Sequence, residues 1–321
     1  MIGERGSLPR MRVLVTGGAG FIGTNLCRRL TVGGPLARVM VLDDLSTGSA
    51  ENLRGLEVDL VEGTILDDVL VGRLVSDADA VVHLAARGSV PRSVEHPVAT
   101  HEVNTTGTLT VLEAARRAGV GQVIVASSSS VYGANPALPK HEGLATIPMS
   151  PYAATKLATE GYTLAYHHSY GLAVLALRFF NVFGPFQAVG HAYAAVVPAF
   201  IAAALEGRPI PVHGDGTQSR DFTFVDTVTA VIEDALLRGV AYPEAVNLAY
   251  GSRVDLLVLI GMLEEIFGRA LAREHGPRRV GDTDHSRADD TRLRALFPDV
   301  HPVPMADALT ATVDWYRQRC G

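Results

Sequence analysis

Residues 16–23 read TGGAGFIG, Thr16 to Gly23, and follow directly on the short apolar, β-branched run Met11–Thr16. The glycines recur as Gly17-x-x-Gly20-x-x-Gly23 and as Gly18-x-Gly20-x-x-Gly23, where a strand would end and the helix-like stretch Thr24–Leu30 would begin. Without Cβ atoms the backbone can turn tightly and approach a pyrophosphate, whose charge then meets the unpaired N–H groups and the positive end of the helix. A glycine pattern alone fits a structural turn as well, so its surroundings decide.

Asp43 closes the next apolar run, Val39–Leu42, roughly 20 residues past Gly23, where a carboxylate accepts from adenosine ribose hydroxyls. A carboxylate there would repel a 2′-phosphate, so the expected cofactor is NAD rather than NADP. Ala80–Leu84, Gln122–Ala126 and Ala173–Leu177 are further short apolar runs, separated by helical patterns that include Asn104–Ala118 and Pro151–Tyr170. Strands alternating with helices give parallel βαβ units, and hence an α/β fold with a Rossmann-type doubly wound parallel sheet. His83, in HLAA at a strand end, reads as a packing residue, while the small Ala85 and Ala86 leave room for a cofactor.

After about residue 180 the alternation breaks down. Pro185, Pro198, Pro209 and Pro211 interrupt it, and helices such as Ala194–Leu205 and Leu256–Phe267 dominate. The expected organisation is an NAD-binding domain over 11–180 and a smaller, mainly helical domain over 181–321, with segment 221–250 packing back onto the first. Residues 1–10 read as a frayed leader.

The 321 residues are 47% hydrophobic and 19% charged, which suits a well-buried globular chain and not a disordered one. A formal net charge of −6 gives no general electrostatic reason to bind nucleic acid or an anionic membrane. Cys27 and Cys320 lie at opposite ends, with no paired Cys/His spacing for a zinc site or a disulfide framework, which fits a reducing cytoplasm. No segment has the roughly 18 uninterrupted apolar residues of a membrane span. The expectation is a cytoplasmic protein with no metal.

Tyr152 and Lys156, in SPYAATK, stand at i and i+4 on one face of a helix whose first turn holds Pro151. A tyrosine with its ordinary pKa of about 10 is a poor base at neutral pH. A neighbouring ammonium and a nicotinamide cation would both favour the phenolate. Such a spacing is common by chance, but here it follows a dinucleotide site and the hydroxyl-rich strand end VIVASSSSVYG, residues 123–133.

With these residues in view, the chain resembles the extended short-chain dehydrogenases/reductases, and within them the nucleotide-sugar 4-epimerases. The matching stretches are TGGAGFIG, LDDLSTG, HLAA, RGSVPRSVEHP, ASSSSVYG, PYAATK, RFFNVFGP, AYAAVVP, GDGTQSRDF and GDTDHSRAD, from residue 16 to about 290. The resemblance implies a tightly held NAD, contacted by Gly17, Gly20, Phe21, Ile22, Gly23, Asp43, Ser46, Thr47, Gly48, Ile65, Leu84, Ala85 and Ala86. It also implies a catalytic triad of Ser128, Tyr152 and Lys156, the last two touching the cofactor as well. In that family the tyrosine takes the proton of the sugar 4-hydroxyl as hydride leaves C4, and the 4-keto sugar turns over and recovers the hydride on its other face. A homodimer paired through the Tyr152 helix is implied too.

The serines separate the relatives. Sugar 4,6-dehydratases that look similar carry an acidic pair at the places of Ser129 and Ser130, and nucleotide-glucuronate decarboxylases a glutamate at the place of Ser130. A serine hydroxyl cannot do that acid/base work. The substrate domain is read in the same way. Arg220 and Arg279 match the diphosphate-binding arginines, whose guanidinium forks suit phosphate oxygens. Asn181 is expected on the sugar or proximal phosphate, and Ala195 and Val196 also line the substrate site. His213 falls where relatives stack an aromatic on uracil, with an ordinary loop histidine as the alternative. Ser286 occupies a gatekeeper position where a bulky aromatic would exclude an N-acetyl group; together with Ser89 and Arg92 it points to UDP-N-acetylhexosamines beside plain hexoses. Phe186 of GPFQ replaces an arginine that glucuronate-specific epimerases use, which counts against uronates. Thr64 replaces an adenine-contacting aspartate.

The expected activity is therefore NAD-dependent 4-epimerisation of a UDP-hexose or UDP-N-acetylhexosamine. The alternatives are a GDP-linked or UDP-uronate epimerase, a dehydratase or decarboxylase, and a catalytically silent NAD-binding protein.

Overall fold

The computed structural model describes residues 11–32, 37–188, 195–277 and 285–320. Its centre is a seven-stranded sheet of β1 (Met11–Thr16), β2 (Ala37–Asp43), β3 (Val58–Glu62), β4 (Ala80–His83), β5 (Gln122–Ser128), β6 (Val174–Phe179) and β7 (Val246–Leu248). Across the sheet the order is β7-β6-β5-β4-β1-β2-β3, with every neighbour parallel. The chain runs outward from β1 through β2 to β3 and then crosses back to β4. The strand order thus reverses between β1 and β4, where open α/β sheets form a crevice beyond the carboxyl ends of their strands.

Alternation along β1 accounts for the burial of both faces. Val13 and Val15 pack on one side with Leu26 and Leu30 of α1 (Phe21–Thr31) and with Val228 and Ile232 of α8 (Val225–Arg238). Leu14 faces the opposite side, against Val71 and Leu74 of α2 (Asp68–Ser76) and Val111 and Leu112 of α5 (Gly107–Ala118). Parallel strands covered on both faces are apolar throughout, which is why β1, β2 and β5 stand out in the sequence. β3 did not. Its residues are half-buried or exposed, as an edge strand permits, and the charged Asp59 and Glu62 leave VDLVE without a long apolar run.

Helix limits also differ locally. α1 begins at Phe21, because Gly20 serves as its N-cap, rather than at Thr24. A π-helical turn, Glu102–Thr106, precedes α5 and shifts the start of the α-helix from Asn104 to Gly107. The strand expected over Ala173–Leu177 runs over Val174–Phe179 and carries its end to the cleft described below. α6 (Pro151–Tyr170) has Ser150 as N-cap, accepting from the Ala153 N–H at 3.1 Å, and Gly171 in the left-handed conformation at its other end.

A separate apolar cluster forms beyond the sheet from α7 (Val196–Leu205), α9 (Leu256–Phe267) and α10 (Met305–Cys320), around Phe200, Ile201, Leu259, Leu263, Leu309 and Val313. Two short strands, Ile210–His213 and Arg273–Gly276, pair in parallel beside it. Phe21 and Ile22, in the first turn of α1, pack against this cluster, so the glycine loop touches both parts of the molecule. α3 (Val90–Glu95) and α4 (Pro97–His101) lie against α6. No helix among the described residues is long and apolar enough to cross a membrane.

Candidate active site

Beyond the carboxyl ends of β1, β4, β5 and β6 lies an open cleft of about 1200 Å³. At one end is the glycine loop. Gly17 adopts φ +74°, and a Cβ there would stand 2.7 Å from the Ala85 amide nitrogen; a Cβ on Gly23 would stand 2.2 Å from the Gly17 carbonyl oxygen. Neither position tolerates a side chain, because the turn is folded onto β4 and onto itself. Gly20 differs: a Cβ there would meet only the Gly17 oxygen, at 3.3 Å, and the residue faces the cleft at the start of α1. α1 has no side-chain cap and no acidic residue in its first turn, which leaves its N–H groups to an incoming anion.

Asp43, at the end of β2, is buried and lines the same end. One carboxylate oxygen accepts from Ala19 N–H at 2.9 Å and the other from Leu45 N–H at 2.9 Å. Burial pushes its carboxyl pKa up, against the pull of those two N–H groups. A carboxylate has about four lone-pair sites, so acceptor capacity remains for a ribose. Ser46, Thr47, Thr64, Ile65, Leu84, Ala85 and Ala86 complete this wall. Gly48 is outside it: a Cβ there would meet the Ala19 carbonyl carbon at 2.7 Å, so its smallness serves packing against the glycine loop. The dinucleotide motif thus fits NAD in its glycine cradle, its open helix end and its carboxylate.

His83 is fully enclosed, with Nδ1 2.7 Å from the Thr16 hydroxyl and Nε2 3.0 Å from the Thr108 hydroxyl. Burial, reinforced by the charge of Lys156, pulls its pKa down to about 3. It is a neutral packing residue, as its sequence context implies.

Ser128, the last residue of β5, meets Tyr152 and Lys156 of α6 at the middle of the cleft. The Ser128 Oγ accepts from the Ser130 N–H at 3.2 Å, capping a short 3₁₀ turn over Ser129–Tyr132, and its own proton remains to be donated. The Lys156 Nζ donates to the Ala126 carbonyl at 2.8 Å, and burial lowers its pKa to about 8. The Tyr152 N–H donates to the Ser93 hydroxyl at 3.0 Å. Thr155, one turn on, is bonded by the Asn104 amide at 3.0 Å, and the Asn104 Oδ1 also accepts from the Arg87 N–H at 2.7 Å. The π-helical turn that displaced the start of α5 places Asn104 there.

Burial raises the Tyr152 phenol, opposed by the Ser128 hydroxyl; the lowering expected from the sequence calls on the Lys156 ammonium together with a nicotinamide cation.

Behind the serines, Ser127 donates to the Glu160 Oε2 at 2.8 Å, and Arg178 binds Glu160 at 2.6 and 2.9 Å, all enclosed. This anchors β5 to α6 beneath Ser128. Ser129, Ser130, Ser89, Arg92, Asn181, Ala195, Val196, Arg220 and Ser286 all line the cleft. Arg220 is buried and its Nη1 donates to the Ser219 carbonyl at 2.9 Å. Asn181, at φ +33°, donates to the Asp221 carbonyl at 3.0 Å. Asp221 is enclosed, accepts from the Ser252 hydroxyl and the Ala288 N–H, and is pushed up by burial to about 7. It ties the Arg220 segment to Ser252 and to Ala288, two residues beyond Ser286.

His213 does not line the cleft; its Nδ1 lies 3.2 Å from the Pro277 carbonyl oxygen, at the end of its strand. Phe186 is also turned away, its ring 5.1 Å from that of Trp315 and flanked by Arg28 and Arg319. Arg279 lies outside the described residues. Lining residues that the sequence reading missed include Phe179, His285, Lys140 and Met149. Phe179 and His285 stand inside the quoted RFFNVFGP and GDTDHSRAD stretches, whereas Lys140 and Met149 lie in an irregular loop with no pattern to mark them.

Residues 13–249 match the model of the NAD dependent epimerase/dehydratase family. A UDP-glucose 4-epimerase of Mycolicibacterium smegmatis is 39% identical over 318 residues, which cover 96% of this chain and 99% of that one. A dTDP-glucose 4,6-dehydratase of Streptomyces niveus is 34% identical over 319 residues, covering 96% and 93%. Among solved structures, UDP-N-acetylglucosamine 4-epimerase from Methanobrevibacter ruminantium, in complex with UDP-N-acetylmuramic acid, has a TM-score of 0.91 at 34% identity, covering 97% of this chain and 100% of that one. With a glycine cradle and carboxylate that fit the dinucleotide, and with likeness running through both apolar clusters, the chain belongs to the NAD-dependent epimerase/dehydratase family and takes NAD as its cofactor.

Proposed function

We propose that the protein is a 4-epimerase of a UDP-linked hexose or N-acetylhexosamine, with Ser128, Tyr152 and Lys156 as its catalytic residues. The observation that carries this reading is the chemistry of the cleft. Ser128, Tyr152 and Lys156 line it together, and its carboxylates among the described residues, Asp43 and Asp44, belong to the glycine-loop end. Dehydration needs a proton acceptor and donor beside C5 and C6, and Ser129 and Ser130 offer only hydroxyls.

NAD, when bound, supplies the two-electron acceptor and donor for reversible oxidation of an alcohol. Tyr152 takes the proton of the 4-hydroxyl and returns it after the ring has turned. Ser128, whose oxygen already accepts from the Ser130 N–H, points its donor at the reacting oxygen. Lys156 supplies positive charge where a phenolate must form. Arg220 grips the diphosphate, Asn181 the sugar side of it, and Ser286 leaves space for a 2-acetamido group. Arg279 would be a second diphosphate cation. The working form on this reading is a cytoplasmic homodimer joined through the surface of α6, where Tyr162 is exposed.

The test is Tyr152→Phe. Turnover of UDP-glucose and UDP-N-acetylglucosamine should fall by about 10²–10⁴-fold, while the NAD released on denaturation stays equal to wild type. Unchanged turnover would reject Tyr152 as the base and with it this reading.

A further inference from the structure

The segment that carries Ser286 is laced into the cleft wall along both of its flanks. On one flank Ser286 N–H donates to the Ser219 carbonyl at 3.0 Å and Ala288 N–H to the Asp221 carboxylate at 2.9 Å. On the other, Lys140 N–H donates to the Arg287 carbonyl at 2.7 Å, and the Lys140 carbonyl accepts from Asp289 N–H at 2.9 Å. This second flank ends on Asn247 of β7, which is fully enclosed and does not line the cleft. The Asn247 Nδ2 donates to the Lys140 carbonyl at 2.8 Å and to the Asp289 carbonyl at 3.2 Å, and its Oδ1 accepts from the Tyr132 hydroxyl at 2.7 Å.

Tyr132 closes the short turn that Ser128 caps, and its ring is enclosed. Arg178 stacks over that ring, 4.8 Å from its centroid, and binds Glu160 of α6, one turn beyond Lys156. Val131, Tyr132 and Phe180 pack with Ala288 in one apolar cluster. A continuous chain of contacts thus runs from the helix of Tyr152 and Lys156, through Tyr132 and Asn247, to the segment of Ser286. An amide suits its place in that chain, because it offers two N–H donors and an acceptor at once. A carboxylate there would face two carbonyl oxygens, and an alkyl side chain would leave the buried Tyr132 hydroxyl without an acceptor.

We propose that Asn247, acting through Tyr132, is a positioning residue that fixes the wall carrying Ser286 against the hydroxyls of Ser128, Ser129 and Ser130, so that a sugar seated on one is in register with the other. This inference rests on the 4-epimerase reading, in which the sugar lies between those walls. The register matters most while the 4-keto sugar turns over, when only the walls hold the ring. If they loosen, the ketone leaves early: the hydride from C4 stays on the cofactor as NADH, the hydroxyl proton stays on Tyr152, and the 4-keto nucleotide sugar is released.

The test compares wild type with Tyr132→Phe and Asn247→Ala, each loaded with NAD. In both variants kcat/KM for UDP-glucose and UDP-N-acetylglucosamine should fall by about 10–100-fold, the scale of a misplaced reacting group. NAD content and the Kd for UDP by calorimetry should stay at their wild-type values. The near-ultraviolet absorbance of enzyme-bound NADH should build up during turnover to a higher level than in wild type. The double variant should lose little more than either single one, as expected of two residues acting through one bond. Thermal midpoints report folding; should Asn247→Ala fail to fold, Tyr132→Phe, which removes a single oxygen, decides. Unchanged kcat/KM and NADH level in folded Tyr132→Phe, or a loss shared equally by UDP affinity and NAD content, would overturn the proposal. A wild type that binds UDP and turns over no UDP-sugar would instead overturn the 4-epimerase reading beneath it.

Discussion

Single side chains here are set by where burial places their charge. His83 is held neutral between two threonines with its pKa near 3, whereas an unfolded histidine titrates near 6.5. Below pH 6.5 the unfolded chain takes up a proton that the folded one refuses, so the stability His83 contributes is intact above that pH and lost as pH falls toward 3. Denaturant midpoints measured between pH 7.5 and 5 should therefore decline more steeply for wild type than for His83→Gln; parallel curves would show that His83 is not the group responsible. The reading of His83 as packing was available from its place at a strand end. The position of the Lys156 tip was not, because adjacency on a helix face says nothing of where a lysine tip points. Lys156 reaches the Ala126 carbonyl across the interface between α6 and β5, a contact that only the folded chain specifies.

Among the elements, the glycine loop and the junction of β5 with α6 carry the site. A Cβ on Gly23 would lie 2.2 Å from the Gly17 oxygen, so Gly23→Ala must shift the loop away from the start of α1. The purified variant should retain far less NAD than wild type, measured by absorbance after denaturation, with its far-ultraviolet circular dichroism little changed. Glu160→Gln breaks the enclosed bidentate pair with Arg178 that anchors Ser127 and should cost about 3–5 kcal/mol of stability by denaturant unfolding. These elements were unevenly visible in the sequence. α6 and α9 were readable to the residue, α6 with Pro151 marking its first turn. The Glu160–Arg178 pair, 18 residues apart, was not, since nothing local distinguishes a buried charge from a solvated one.

For the whole molecule, the strand order 3-2-1-4-5-6-7 and the second apolar cluster bring residues from across the chain to one crevice, from Gly17 to Ser286. The family follows from that arrangement and from likeness along the chain. On the 4-epimerase reading, the reaction turns on the hydroxyls that line the cleft with Tyr152. Hydroxyls at Ser128, Ser129 and Ser130 suit an enzyme that removes a hydride from C4 and returns it to the same carbon. The most direct measurement is the fate of deuterium in UDP-[4-²H]glucose or UDP-N-acetyl-[4-²H]glucosamine turned over without added NAD, followed by nuclear magnetic resonance. The account predicts the 4-epimer with deuterium retained at C4 and no loss of water. A 4-keto-6-deoxy product with the label at C6 would contradict it.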